Sequence, residues 1–169
     1  MRNIRVWKTI TLGIYKTADA YSEALEEAGY GIAGGADEIL EKVRCAKRKM
    51  SVNLTTLSVG RLGFKNGAYY EDVCTRGVEM GMKLCPAEVG PALRLVCGKQ
   101  HRGWLNIAMK AIKGRIFAIE SADDGLWLNT NDAPHRSGPF KKKNFDPLYG
   151  WNAAGDVFIF IQPKVRMKK

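Results

Sequence analysis

Trp104-Leu105-Asn106-Ile107-Ala108-Met109-Lys110-Ala111-Ile112-Lys113-Gly114-Arg115-Ile116-Phe117-Ala118-Ile119-Glu120-Ser121-Ala122-Asp123-Asp124-Gly125-Leu126-Trp127-Leu128 decides how this chain folds. Three apolar runs are divided by two short turns. Lys113-Gly114 places a glycine where a tight turn needs positive φ, and Asp123-Asp124-Gly125 is a stronger turn signal of the same kind. The stretch therefore predicts successive β-hairpins. Downstream, Val157-Phe158-Ile159-Phe160-Ile161 is a compact apolar run ended by Pro163, which predicts a last strand. Residues 130–154, rich in Gly, Pro, Asn and Lys, read as a long loop.

Upstream the period changes. Residues 17–28 carry Tyr21, Ala24, Leu25 and Ala28 on one stripe, with Thr17 as N-cap and Gly29 as the stop, which predicts a helix. A glycine-rich connection, Gly31 to Gly35, leads to a second helix over 36–47. A third is predicted over 69–80, where Gly77 implies close packing against another backbone. Alternation over 1–15 suggests an edge-like strand, residues 51–59 a second, and Leu93-Arg94-Leu95-Val96-Cys97 a third. Helices come early and hairpins late. The expected fold is α+β, with N-terminal helices packed on a mainly antiparallel, meander-like sheet of about five strands. Residues 1–163 form one domain, followed by a basic tail over 164–169.

The charge is the loudest compositional signal. Lys and Arg number 27 against 17 acids, a formal charge of +10. Such a field attracts polyanions, nucleic acid foremost. The same charge can also serve solubility alone. No apolar stretch reaches the length of a membrane span, and Lys8 interrupts the N-terminal run before it resembles a signal core. A cytoplasmic protein is expected. Cys45, Cys74, Cys85 and Cys97 show no Cys-x-x-Cys pair, so reduced thiols are expected rather than a zinc site. Cys85, beside Pro86, has nothing local to lower its pKa.

Two segments carry the strongest binding signals. Lys42-Val43-Arg44-Cys45-Ala46-Lys47-Arg48-Lys49 is densely basic, although a solvated helix end would explain it equally. Phe140-Lys141-Lys142-Lys143-Asn144-Phe145, followed by Tyr149 and Trp151, interleaves cations with aromatics as single-stranded nucleic acid requires. The nucleic-acid candidates are thus Lys47, Arg48, Lys49, Phe140, Lys141, Lys142, Lys143 and Phe145.

Catalytic signals are weaker. The two histidines, His101 and His135, could form an acid–base pair, with Glu88 as a third group. Glu88 lies in an apolar stretch, and if buried it needs a partner such as Arg94. Glu120, Asp123, Asp124, Asp132 and Asp146 stand near turns; a metal-dependent nuclease would need two or three of them to converge, and the Asp123-Asp124-Gly125 turn is explained without metal. No phosphate-binding Gly loop or nucleophile elbow is present, and no cofactor is implied.

Several motifs run in order along nearly the whole chain. They are Trp7-Lys8-Thr9-Ile10, Lys16-Thr17-Ala18-Asp19-Ala20-Tyr21, Leu84-Cys85-Pro86-Ala87-Glu88-Val89-Gly90-Pro91 with Leu93-Arg94-Leu95, Gly103-Trp104-Leu105, and Asp123-Asp124-Gly125-Leu126-Trp127-Leu128. Together the pattern resembles a family of uncharacterised bacterial proteins. That resemblance implies a bacterial, cytosolic, single-domain protein and carries no activity, cofactor or catalytic residue. Three functions stay open: a binding module for nucleic acid or another polyanion, a small nuclease-like hydrolase, or a protein-interaction module without catalysis. An exposed apolar patch around Trp104 or Trp127 would favour the last.

Overall fold

The computed structural model describes residues 4–99, 103–133 and 150–164. Among these, nine strands and four helices follow the order β1 (Lys8–Leu12), α1 (Ala18–Glu27), β2 (Gly31–Ile32), α2 (Gly34–Leu40), β3 (Met50–Ser58), β4 (Ala68–Tyr69), α3 (Tyr70–Glu79), α4 (Val89–Val96), β5 (Gly103–Ile107), β6 (Arg115–Ala122), β7 (Gly125–Asp132), β8 (Trp151–Asn152) and β9 (Val157–Ile161). No helix among the described residues is long and apolar enough to cross a membrane.

The α+β class holds, but the five-stranded antiparallel meander does not. Seven strands form one curled, mixed sheet in the order β1-β3-β9-β5-β6-β7-β2, and β4 with β8 forms a separate pair. Two neighbours run parallel, β5 with β9 and β2 with β7. The hairpin reading survives locally: β5-β6-β7 is antiparallel, with Ala122 opposite Gly125 across the Asp123-Asp124 turn. Lys113 and Gly114 both take positive φ, 51° and 70°, as a two-residue hairpin turn demands. The parallel pairs escaped the sequence because they join segments far apart in the chain, which no local period reports.

Register sorts the side chains onto two faces. Ile10, Val52, Leu54, Ile107, Phe117, Ile119, Leu128 and Ile159 fall on the concave face and are buried. Helix α4 lies against this face, touching β1 as well as β6 and β7, with α1 packed alongside it. Gly90 permits the approach: a Cβ there would stand 2.6 Å from the Phe117 ring. On the convex face α3 covers Phe158 and Phe160. Tyr70 stacks on Phe158 with ring centroids 5.7 Å apart, and its Oη accepts a hydrogen bond from the Met109 backbone amide at 2.8 Å. The close approach expected at Gly77 exists, but it meets a ring rather than a backbone: a Cβ would lie 2.3 Å from Phe160.

Four elements differ from expectation, the first being the loop expected over 130–154, whose ends carry the last residues of β7 to Asp132 and β8 at Trp151–Asn152. Residues 93–97 belong to α4 and the turn after it, not to a strand. A short apolar run has no decisive period, and Pro91 sits in the first helical turn, where its missing N–H has no intrahelical partner to lose. Gly31-Ile32 is a strand on β7, not a flexible connection. Helix α2 stops at Leu40 instead of Lys47. Its last turn tightens through Lys42 N to Ile39 O and Val43 N to Leu40 O, and the chain then leaves the helix with Val43 buried.

The approach to α4 is itself fixed. Lys83 bridges Ile161 at the end of β9, and Cys85 bridges Met109 just beyond β5. Residues 83–85 thus wedge between two diverging strands and deliver Glu88 to the core.

Candidate nucleic-acid interface

Glu88 precedes α4 and is only 1% exposed. Its carboxylate accepts three hydrogen bonds. Oε1 takes the Gly13 amide and the Tyr21 hydroxyl, each at 2.7 Å, and Oε2 takes the Ala46 amide at 2.7 Å. A buried carboxylate is tolerable only when its lone pairs are filled in this way, and the N-terminal end of α4 favours the negative charge further. Arg94, the expected partner, is not among these donors. It is fully buried near the other end of α4, donating to carbonyls of Cys97, Gly98 and Glu120 and lying over the Tyr30 ring. Burial lowers the guanidinium from its ordinary pKa.

The consequence for the surface is direct. Gly13 and Ala46 belong to two loops, and Glu88 holds both. Gly13 has φ +74°, and a Cβ there would lie 2.5 Å from the Arg48 carbonyl oxygen, so the loops are in backbone contact. Lys16 adds a second clasp, with Nζ donating to Gly13 O at 2.6 Å and Lys47 O at 3.3 Å. Thr17 then caps α1 through Ala20 N. The residues that read as a helix end are therefore a pinned loop. Lys42, Arg44, Lys47, Arg48 and Lys49 project from it, exposed, with Lys16 beside them. None of these six cations enters an ion pair among the described residues, where the cationic partners are Arg76 and Arg115.

Of the nucleic-acid candidates, Lys47, Arg48 and Lys49 are on this surface. Phe140, Lys141, Lys142, Lys143 and Phe145 lie outside the described residues, as do His101, His135 and Asp146. Glu88 is withdrawn from solvent and committed to three donors, which makes it an anchor. The other turn acids serve local contacts. Asp124 accepts from Trp127 Nε1 at 3.1 Å, Glu120 from Asn129 Nδ2 at 2.9 Å, and Asp132 lies 3.9 Å from Arg115. Among the described residues no three His, Cys, Asp or Glu side chains are grouped to hold a metal ion.

Three thiols, Cys45, Cys74 and Cys85, are held above the ordinary thiol value. Burial pushes Cys74 up to about 11 and raises Cys85, whose Sγ donates to the Ile159 carbonyl at 3.4 Å. Cys45 is raised by burial and then by Glu88, with Lys16 opposing. Tyr21 is raised well above its ordinary value by burial and by its hydrogen bond to Glu88.

Lys16 had no signal in the sequence, because its place beside Lys47 exists only once Glu88 has joined the loops. A second unsignalled feature adjoins it. A groove of about 400 Å³ opens between α1 and α4, walled by Tyr15, Tyr21, Ala24, Ala28, Ala92 and Leu95. Ile14 and Val96 stand at its rim, 47% and 52% exposed, with Thr11 and Glu27 as polar groups. The other aromatic candidates are dispersed. Trp127 covers Gly31, whereas Trp104 is exposed on β5. Comparison of the chain with family models, with curated proteins and with solved structures finds no match in any of the three.

Proposed function

We propose that the protein is a binding module for nucleic acid, acting through phosphate contacts on the pinned loop over residues 42–49 and Lys16. The carrying observation is that six exposed cations, with no ion pair among the described residues, lie on two contacting loops that a buried carboxylate holds in place. Cations carried on a backbone that is already held lose less chain freedom on binding than cations on an unpinned loop, so more of their attraction becomes affinity. A single-stranded or duplex backbone would release counterions on contact, and affinity would fall steeply with salt.

The hydrolase reading gains no observation, since Glu88 is fully engaged in the core. The test is anisotropy of labelled DNA and RNA oligonucleotides across a salt series, using the intact chain and a Lys47→Glu/Arg48→Glu/Lys49→Glu variant. The expected result is a loss of at least tenfold in affinity and a shallower salt slope, with Lys65→Glu/Lys83→Glu leaving both unchanged. Equal losses in the two variants would reduce the effect to net charge and sink the proposal.

A further inference from the structure

We infer that the groove between α1 and α4 accepts one base of a bound strand, guanine in preference to the other bases. The inference rests on the phosphate-binding reading of the basic loop and names what lies beyond it.

The argument begins with continuity. Gly13, Ile14, Tyr15 and Lys16 are consecutive, and they serve both features. Lys16 joins the cationic cluster through Lys47, while Ile14 and Tyr15 line the groove. A phosphate held at Lys16 would therefore be attached to whatever enters beside Tyr15. The groove wall combines small side chains with aromatic rings. Ala24, Ala28 and Ala92 present only methyl groups, and Tyr15 leans on Tyr21 with ring centroids 4.9 Å apart at 56°. That contact braces the Tyr15 ring against a buried neighbour and leaves two aromatic rings on the groove wall as stacking surface.

The charge along the groove is polarised. Lys16 precedes the first turn of α1, and Glu27 is its last residue. A ten-residue helix separates them by roughly 15 Å. An occupant must carry negative charge at one end, a planar apolar body, and hydrogen-bond donors at the other. A nucleotide meets all three. Guanine meets the last best, because its N1–H and N2–H stand side by side and match the two oxygens of a carboxylate. A fatty-acid anion would satisfy the first two conditions and leave Glu27 facing its hydrocarbon end.

The experiment uses the full chain and octamers of thymidine, with or without one central guanosine, followed by anisotropy at low salt. The guanosine octamer should bind at least tenfold more tightly, about the low end for a hydrogen bond to a charged group. Glu27→Gln, an exposed position, should remove that advantage, bringing the ratio of the two octamers' affinities to about one. Ala24→Phe, which fills the groove, should do the same, with thermal unfolding checking that the variant folds. Equal binding of the two octamers overturns the groove inference, while salt-dependent binding that needs Lys47, Arg48 and Lys49 would leave the basic loop standing. Guanosine preference that survives both substitutions also overturns it. Absence of binding to either octamer sinks both ideas together. Binding of a fluorescent fatty acid that Ala24→Phe abolishes, with no base preference, would assign the groove to an acyl chain and overturn the inference.

Discussion

Glu88 and Arg94 stand six residues apart, one at each end of α4, both withdrawn from solvent, and neither is the other's partner. The carboxylate is at the helix end where backbone N–H groups are unpaired. The guanidinium is at the end where carbonyls are. The carboxylate is met by two amides and a hydroxyl, and the guanidinium donates to three backbone carbonyls. The central helix is thereby fastened at one end to the β1–α1 and α2–β3 loops, and at the other to β6.

This independence can be measured. In Glu88→Gln, one oxygen still accepts from Gly13 and Tyr21, but an amide nitrogen meets the Ala46 N–H. The expected loss is about 1–3 kcal/mol, from a buried donor left unsatisfied. Combined with Arg94→Met, the two losses should add to within about 0.5 kcal/mol, as for separate sites. Urea unfolding of the single and double variants checks this. A coupling well above 1 kcal/mol would mean that the two charges act as a pair.

Gly77→Ala tests the packing of α3. Helix propensity alone would make alanine stabilising by about 1 kcal/mol. The new methyl would instead strike the Phe160 ring, and overpacking of that kind costs about 1–3 kcal/mol. We expect a net fall in thermal midpoint. A rise would show that Phe160 moves aside freely.

Alkaline pH should weaken the fold. Tyr21 and Tyr70 are both raised above the ordinary tyrosine value, in each case by burial first. Below about pH 10 the hydroxyls stay protonated in both folded and unfolded chains, so neither residue changes stability. Above that, the unfolded chain loses protons that the folded chain retains, and stability falls with pH by up to about 1.4 kcal/mol per unit for each group. Urea midpoints at pH 9, 10 and 11 should decline. Tyr21→Phe should decline less steeply from a lower start. Parallel slopes would assign the alkaline loss to other groups.

Helix α1 carries Asp19, Glu23, Glu26 and Glu27, all exposed, and no basic residue. This acidic flank borders the cationic loop and should steer a nucleic-acid strand away from α1's outer side. Glu23→Lys/Glu26→Lys should then raise affinity at low salt several-fold and reduce discrimination between oligonucleotides. An unchanged affinity would place the strand's path elsewhere.

The sequence made the local elements plain and the long-range ones invisible. Thr17, Gly29 and the stripe of Tyr21 and Leu25 mark α1 to within a residue at each end, because caps and period are local properties. The Asp123-Asp124 turn was equally legible. The run Leu93 to Val96 was not, since a buried helix that is apolar on most sides looks like a buried strand. The basic loop was visible as composition but misplaced as helix, because Ala46 leaves the helical path to meet a carboxylate 42 residues further along the chain. Burial of Glu88 was foreseen as a condition, but three neutral donors were not, since amides and a hydroxyl carry no signature in a sequence.

The order of strands also governs how the molecule can be made. Among the described strands β9 alone touches both β3 and β5, and Leu54 lies opposite Ile161. Until β9 leaves the ribosome, the nascent chain can hold a β1–β3 strip and a β5–β6–β7 strip but cannot join them. Each strip then exposes an unpaired edge, the kind of surface that recruits foreign strands. Closure over so long a loop is slow. A nascent chain halted before Val157 is therefore an aggregation hazard rather than a smaller version of the protein.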